Sequence, residues 1–361
     1  MSPTDPEAPD RPLRPGWTTG ACATAATRSA LAALIGGDFF DPVTITLPRG
    51  ETPSFALALR ESGPGWARAG VVKDAGDDPD VTHGATIVAT VRRAAAGQGV
   101  LFRAGPGVGT VTRPGLPLAV GEPAINPVPR RLMGAAAAAA GLGDLEIEIA
   151  VPDGERIATR TWNPRLGILG GLSILGTTGV VVPYSCSAWI HSIRRGVDVA
   201  RACGLTHVAG CVGHTSEIAV RRHYDLPAEA IIDMGDFVGG LLGHLRHHPL
   251  PRVTIAGGFA KMSKLAAGAL DLHSKRSQVD PTALAATLAG LGADPALVAR
   301  AAAANTALEV LDLARAAGLK LGDAIARAAE AVARTALAAP EIDLDVLVFD
   351  RQGELVGDSR A

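Results

Sequence analysis

The chain carries two kinds of apolar patterning. Ala, Leu and Ile recur at helical spacing over residues 20–35 and stop at Gly36-Gly37, which predicts a helix closed by glycine. Val43-Thr-Ile-Thr-Leu47, Thr86-Ile-Val-Ala-Thr-Val91 and Leu145-Glu-Ile-Glu-Ile149 alternate and are β-branched, which predicts strands. Gly and Pro punctuate between them, and one helix interrupts at about 128–141. After about residue 185 the pattern changes. A helix at 187–203 leads to the short apolar run 207–213, and a helix separates that run from Ala230-Ile-Ile-Asp-Met-Gly235. Another helix precedes Arg252-Val-Thr-Ile-Ala-Gly-Gly258, and a further one starts at about 260. Apolar runs alternating with helices imply a buried parallel sheet with right-handed crossovers. Residues 282–339 read as Ala/Leu-rich helices, and Leu344-Asp-Val-Leu-Val-Phe349 as a last strand ending in a turn at Gln352-Gly353.

The expected architecture has three parts. An α+β, strand-rich domain spans 12–165, a Rossmann-like α/β domain with a parallel sheet spans 166–340, and a C-terminal strand and tail fill 341–361. The 361 residues fit about two domains, and 47% hydrophobic residues exclude an intrinsically disordered chain. Aromatics at 4% argue against a base-stacking surface, and 34 basic against 36 acidic residues leave no field for a polyanion. No nucleic-acid partner is expected. No apolar run reaches the length of a membrane span, and the Pro- and acid-rich stretch 1–11 reads as a loose tail rather than a signal peptide. Cys22, Cys186, Cys203 and Cys211 form no Cys-x-x-Cys pair. The chain is therefore expected to be a cytoplasmic protein with reduced thiols and no membrane partner, and assembly into a homo-oligomer stays open. There is no internal repeat, but Thr18-Thr19-Gly20 is echoed by Thr177-Thr178-Gly179.

Chemistry is sought first where the parallel strands end, because ligands of open α/β sheets lie beyond the carboxyl ends. Gly210-Cys-Val-Gly213-His-Thr215-Ser216-Glu ends one strand, and Thr215 or Ser216 is placed to cap the next helix. Asp233-Met-Gly-Asp236 ends a second, where a carboxylate suits a ribose diol. Gly257-Gly258-Phe-Ala-Lys261 ends a third, where backbone can approach a ligand closely. Each glycine could equally be a plain turn; three in succession favour a nucleoside-containing ligand. The loop Val72-Lys-Asp74-Ala-Gly-Asp77-Asp78-Pro-Asp80-Val-Thr-His83 could serve proton transfer, hold a hard cation, or be a solvated turn with Asx capping. Gly105-Pro-Gly-Val-Gly109 resembles a phosphate loop loosely, but a hairpin that admits another backbone fits it better. Arg130 and Arg131 stand in the first turn of a helix, where they oppose its dipole and need a partner, either ligand carboxylates or Glu122. Cys22 sits in a first helical turn without a nearby histidine and reads as packing. His244, His247 and His248 read as surface residues at a helix end, and no protein metal site is expected.

Several longer motifs occur in order: Leu13-Arg-Pro-Gly-Trp-Thr-Thr-Gly-Ala-Cys-Ala, Lys73-Asp-Ala-Gly-Asp-Asp-Pro-Asp80, Gly105-Pro-Gly-Val-Gly-Thr-Val-Thr-Arg-Pro-Gly115 and Gly121-Glu-Pro-Ala-Ile-Asn-Pro-Val-Pro-Arg130. Ile168-Leu-Gly-Gly-Leu-Ser-Ile-Leu-Gly-Thr-Thr-Gly179, Met234-Gly-Asp-Phe-Val-Gly239, Lys264-Leu-Ala-Ala-Gly268 and Ala304-Asn-Thr-Ala307 follow. Through them the chain resembles the cobalt-precorrin-5B C1-methyltransferases (the CbiD family) of the anaerobic cobalamin pathway, from about residue 13 to 350. Trp17 and Ala21 depart from the Tyr and Thr that are common there. The resemblance implies S-adenosylmethionine as methyl donor and a cobalt-containing ring-contracted tetrapyrrole as acceptor, with cobalt arriving only as part of the substrate. On that footing the adenosyl cofactor is expected at Gly210, Gly213, Thr215, Asp233, Asp236, Gly257 and Gly258. The polycarboxylate acceptor is expected at Thr18, Thr19, Gly20, Arg130, Arg131, Thr177 and Thr178, with Asp77, Asp78 and His83 as candidate bases. A nicotinamide-dependent tetrapyrrole reductase and a non-catalytic corrinoid-binding protein remain as alternatives.

Overall fold

The first helix, α1 (Thr19–Leu34), starts where Thr18 leaves the chain extended and its hydroxyl accepts the Ala21 N–H. Its Ala, Cys and Thr side chains are small, so the helix is buried over most of its length and lies close against a sheet. The structure, a computed structural model, describes residues 12–361; the stretch 1–11, read above as a loose tail, lies outside the described residues.

The chain divides into two units, Met1–Cys186 and Ser187–Ala361. The sheet under α1 is built from β1 (Leu59–Gly63), β2 (Trp66–Val72), β3 (Thr86–Arg93), β4 (Val100–Ala104) and β5 (Leu145–Ala150), in spatial order β1-β2-β3-β5-β4. Only β5 and β4 run parallel. Alternation in β5 sends Leu145, Ile147 and Ile149 inward and leaves Glu146 and Glu148 to meet Arg92, with Arg103 also 3.1 Å from Glu146. Helix α2 (Pro127–Ala139) starts on two prolines and packs on α1.

The domain boundary lies later in the chain than the sequence pattern places it. Ile168–Leu169 pairs with Thr110–Val111, Gly171–Leu172 with Gly107–Val108, and Val180–Val181 with Gly16–Trp17, so residues 166–186 belong to the first unit. Gly107 makes the tightest of these junctions. Its φ is +76°, and a Cβ there would lie 1.9 Å from Val151 O. The Gly105–Gly109 stretch thus admits another backbone. The two Thr-Thr-Gly echoes meet as well: Thr18 N donates to Gly179 O at 3.0 Å.

The second unit opens with α3 (Cys186–Ala202) and holds β6 (His207–Cys211), β7 (Ile231–Asp233), β8 (Arg252–Gly258), β9 (Asp343–Phe349) and β10 (Leu355–Asp358). Their order is β7-β6-β8-β9-β10, the first four parallel and the last antiparallel. The C-terminal strand expected to stand apart is therefore an interior strand of this sheet. Helices α4 (His214–Tyr224), α5 (Val238–Leu245) and α6 (Phe259–Ala266) connect the strands, and four more helices occupy Pro281–Leu337. Asp280, Asp294 and Thr306 cap three of those four. Among the described residues no helix is long and apolar enough to cross a membrane.

At the amino end of this sheet Asp345 is fully buried and accepts hydrogen bonds from Thr254 Oγ1 at 2.8 Å and Tyr224 Oη at 2.5 Å, with the Arg252 guanidinium 3.5 Å away and stacked over the Tyr224 ring. His207 completes the network through Thr254 at 2.8 Å, and burial together with Arg252 pulls its pKa down from 6.5 to about 4. Asp345→Ala leaves Thr254 and Tyr224 without their acceptor and should lower the urea-unfolding stability of this unit by about 1–3 kcal/mol for each group left unpaired. His207 is neutral when folded but takes a proton when unfolded, so its contribution is full above pH 6.5 and fades toward pH 4. His207→Gln should flatten the fall in stability measured across that window.

Candidate functional site

The N-terminal turn and the acidic loop form one structure. Arg14 N–H donates to Asp77 Oδ2 at 2.8 Å, Asp77 N–H to Arg14 O at 3.0 Å, and Trp17 N–H to Asp74 O at 2.7 Å. The Arg14 guanidinium grips both oxygens of Asp74 and lowers its pKa to about 2. Asp78 Oδ1 accepts the Tyr184 N–H at 2.8 Å, while partial burial raises its carboxyl pKa. His83 Nδ1 accepts the Ala75 N–H at 3.1 Å, which leaves Nε2 as the protonated nitrogen of the neutral ring. The loop itself hangs on Lys73, 2% exposed, whose Nζ lies 2.6 Å from Asp80 Oδ2. Asp80 Oδ1 also accepts the Thr82 N–H and hydroxyl. Asp77 and one oxygen of Asp78 brace the loop, and the solvated-turn reading gives way to a braced one.

The mouth of α1 is filled by the chain itself. Gly20 N–H donates to Leu175 O at 2.8 Å, and the buried Thr19 hydroxyl accepts the Leu175 N–H at 3.0 Å. A Cβ on Gly20 would lie 2.8 Å from Leu175 O. Thr18, Thr19 and Gly20 thus bind neighbouring backbone in place of ligand carboxylates. Cys22 is buried and its thiol is pushed up to about 12 by desolvation, which removes it as a nucleophile. Thr178 caps Val180, and Thr177 is exposed.

Arg130 and Arg131 diverge. Arg130 is held by Ile125 O at 2.7 Å, Pro123 O at 3.1 Å and Glu122 at 2.7 Å, and stacks over Phe102. With Phe102, Arg103 and Glu122 it lines an open cavity of about 340 Å³. Arg131, on the next position of the helix, is exposed.

The carboxyl edge of the parallel sheet gathers the remaining residues. Adjacent β6 and β8 send their connections to opposite sides, to β7 and to β9, which places the topological switch point between them. Gly213 ends the β6 loop and caps α4, Ser216 closing the cap at 3.2 Å, so Thr215 is exposed and is not the capping residue. Space beside Gly213 is open, whereas a Cβ on Gly210 would meet Leu241 at 2.3 Å and one on Gly257 would meet Met262 at 2.7 Å. Gly210 and Gly257 are packing glycines; Gly213 and the exposed Gly258 stand at the edge. Asp233 ends β7 and accepts the Gly235 N–H at 3.2 Å. Asp236 Oδ1 is engaged by Lys261 Nζ at 2.5 Å. Trp189, half-exposed, lies beside Gly235 and donates to Asp233 O at 3.4 Å. Sequence reading passed over it; its only signal is a large aromatic in the first turn of a helix. Lys264, quoted above in a motif but given no role, is buried, donates to Leu272 O at 2.9 Å, and burial lowers its pKa.

Two family models match the chain, CbiD over residues 6–183 and the CbiD C-terminal domain over residues 271–360. The chain belongs to the CbiD family. A relative from Paramagnetospirillum magneticum named cobalt-precorrin-5B C(1)-methyltransferase is 71% identical to this CbiD chain over 98% of its length and 99% of the relative's. A relative of the same name from Rhodospirillum rubrum is 70% identical over 96% and 98%. A solved structure, the cobalamin biosynthesis protein CbiD from Archaeoglobus fulgidus, is 28% identical, with a TM-score of 0.38 over 73% of this chain and 83% of that one.

Removing one partner of the Lys73–Asp80 pair leaves a buried charge uncompensated. Asp80→Ala should destabilise the N-terminal unit by about 3–5 kcal/mol in urea unfolding, and the double replacement Lys73→Met with Asp80→Leu should cost less than Asp80→Ala alone.

Proposed function

We propose that the CbiD chain is an S-adenosylmethionine-dependent C-methyltransferase that methylates C-1 of cobalt-precorrin-5B, giving cobalt-precorrin-6A in cobalamin biosynthesis. The observation that carries this is identity of about 70% with methyltransferases of that name along nearly the whole chain. Cobalt is part of the acceptor and asks for no protein ligand.

We read the second unit as a Rossmann-like donor-binding domain. The open space beside Gly213, the exposed Gly258 and the Asp233 carboxylate at one sheet edge suit an adenosyl group. S-adenosylmethionine supplies an electrophilic methyl group on a sulfonium. Asp233 would accept from ribose hydroxyls, the amide end of α4 at Gly213 would face a polar group, and Trp189 would offer an aromatic face. In the first unit, Arg131 is exposed and suits an acceptor carboxylate, while Arg130 and Arg103 line the cavity already paired with Glu122 and Glu146.

The three expected bases divide by chemistry. His83 in its neutral form presents Nε2–H, so it donates to a ligand and does not take its proton. Asp77 is held in reciprocal bonds with Arg14. Asp78, with its pKa raised by burial, is the carboxylate best poised to receive a proton if the reacting tautomer must lose one.

Isothermal titration with S-adenosylhomocysteine and with NADPH separates methyltransferase from reductase. The chain should bind the first and ignore the second, and binding of NADPH alone would sink this reading. Asp233→Asn should weaken S-adenosylhomocysteine by about tenfold or more, as expected for a hydrogen bond to a charged acceptor, without changing the unfolding midpoint. Unchanged affinity would remove Asp233 from the site.

A further inference from the structure

Outside these sites one cluster of ligand-type side chains stands assembled. Asp198 on α3 and His244 near the end of α5 lie with Nε2 and Oδ1 2.7 Å apart, and His248 stacks on His244 with ring centroids 4.3 Å apart. One donor atom from each of the three falls within 4.8 Å of the other two. The histidines share a helix face because helical bonding runs past Leu245: Arg246 N–H donates to Leu242 O and His248 N–H to His244 O, both at 3.0 Å. His244 is 11% exposed and His248 half-buried, so neither is the surface residue that the sequence suggested; His247 is exposed, and Asp198 is 19% exposed.

We propose that Asp198, His244 and His248 form a site for one divalent transition-metal ion of the zinc class, tying α3 to the end of α5. Two imidazoles and a carboxylate are the donor set such ions take, with further positions left to water. Three independent features of the fold support it. The ligands are preorganised, since Val197 beside Asp198 and Leu241, Leu242 and Leu245 before His248 are all buried in one core. Arg195 holds Asp198 Oδ2 at 3.1 Å, orienting the carboxylate so that Oδ1 faces the imidazole, as an outer-shell partner does. The site also caps the carboxyl end of α5, where the helix dipole favours a cation. Arg201 fixes the same two segments from outside, donating to Pro249 O at 3.1 Å. The ion would be structural, and it is separate from the cobalt of the proposed substrate.

The full chain, stripped with chelator and reloaded with Zn²⁺ alone, tests this by elemental analysis after gel filtration and by thermal unfolding. One zinc per chain and a raised Tm are expected. Asp198→Asn and His248→Ala should each weaken Zn²⁺ binding by more than the roughly 10–100-fold typical of outer-shell changes, while His247→Ala should bind as the parent does. Circular dichroism of the zinc-free variants separates lost binding from lost folding. Co²⁺ loading provides a second readout, since His248→Ala should change its visible absorption bands. Substoichiometric zinc in the parent, or stoichiometric zinc with undiminished affinity in a folded Asp198→Asn and His248→Ala double variant, would overturn the proposal.

Discussion

The N-terminal unit depends on a lysine that has no water to retreat to. Lys73 ends its strand inside the protein, and Asp80 is the group that makes its burial tolerable. Meeting that demand bends residues 73–85 into a fixed loop. The fixed loop in turn presents Asp74, Asp77 and Asp78 outward to Arg14 and Tyr184, and so decides where the chain enters α1 and where it leaves the unit. The same entry point brings Thr18 beside Gly179 and seals the helix mouth with Leu175. Acidic residues that look catalytic as a list are largely engaged in holding two chain segments together.

The second unit follows a different constraint. Its parallel strands are buried on both faces, so polar groups are confined to the two edges of the sheet. At the amino edge they close on one another around Asp345, with Tyr224, Thr254 and Arg252 as partners. At the carboxyl edge space stays open beside Gly213, and Gly258 is exposed. Closure at one end makes for stability, and incomplete closure at the other leaves groups for a ligand.

Much of the architecture was legible because it rests on periodicity. The helices at 19–34, 127–139 and 186–202 and the strands at 145–150, 207–211 and 252–258 fall close to where the apolar pattern puts them. Strands Leu59–Gly63 and Trp66–Val72 were not legible: the second carries Ala67, Ala69 and Gly70 at its centre in place of β-branched residues, and pairing with strands on both sides holds it. The strand expected over 43–47 is only Val43–Thr44, because its partner Ser54–Phe55 is just as short. The domain boundary slipped because strands of two residues, such as Gly171–Leu172, carry no pattern of their own. Site chemistry was legible as residue type and not as availability. Asp236 and Asp233 look alike in sequence, and only the fold shows that Lys261 reaches Asp236 while Asp233 accepts the Gly235 N–H. Arg130 and Arg131 are likewise adjacent, yet one is enclosed by Glu122 and Phe102 and the other is exposed. Hydrogen-bond satisfaction is a tertiary property, so local motifs do not report it.

In the proposed reaction this chain transfers a methyl group to carbon. Incubation of the purified protein with methyl-labelled S-adenosylmethionine and cobalt-precorrin-5B, followed by nuclear magnetic resonance of the isolated corrinoid, addresses it most directly. Label on C-1 of the macrocycle, with S-adenosylhomocysteine formed in equal amount, is the predicted result. An unlabelled corrinoid recovered from protein that binds both molecules would contradict it.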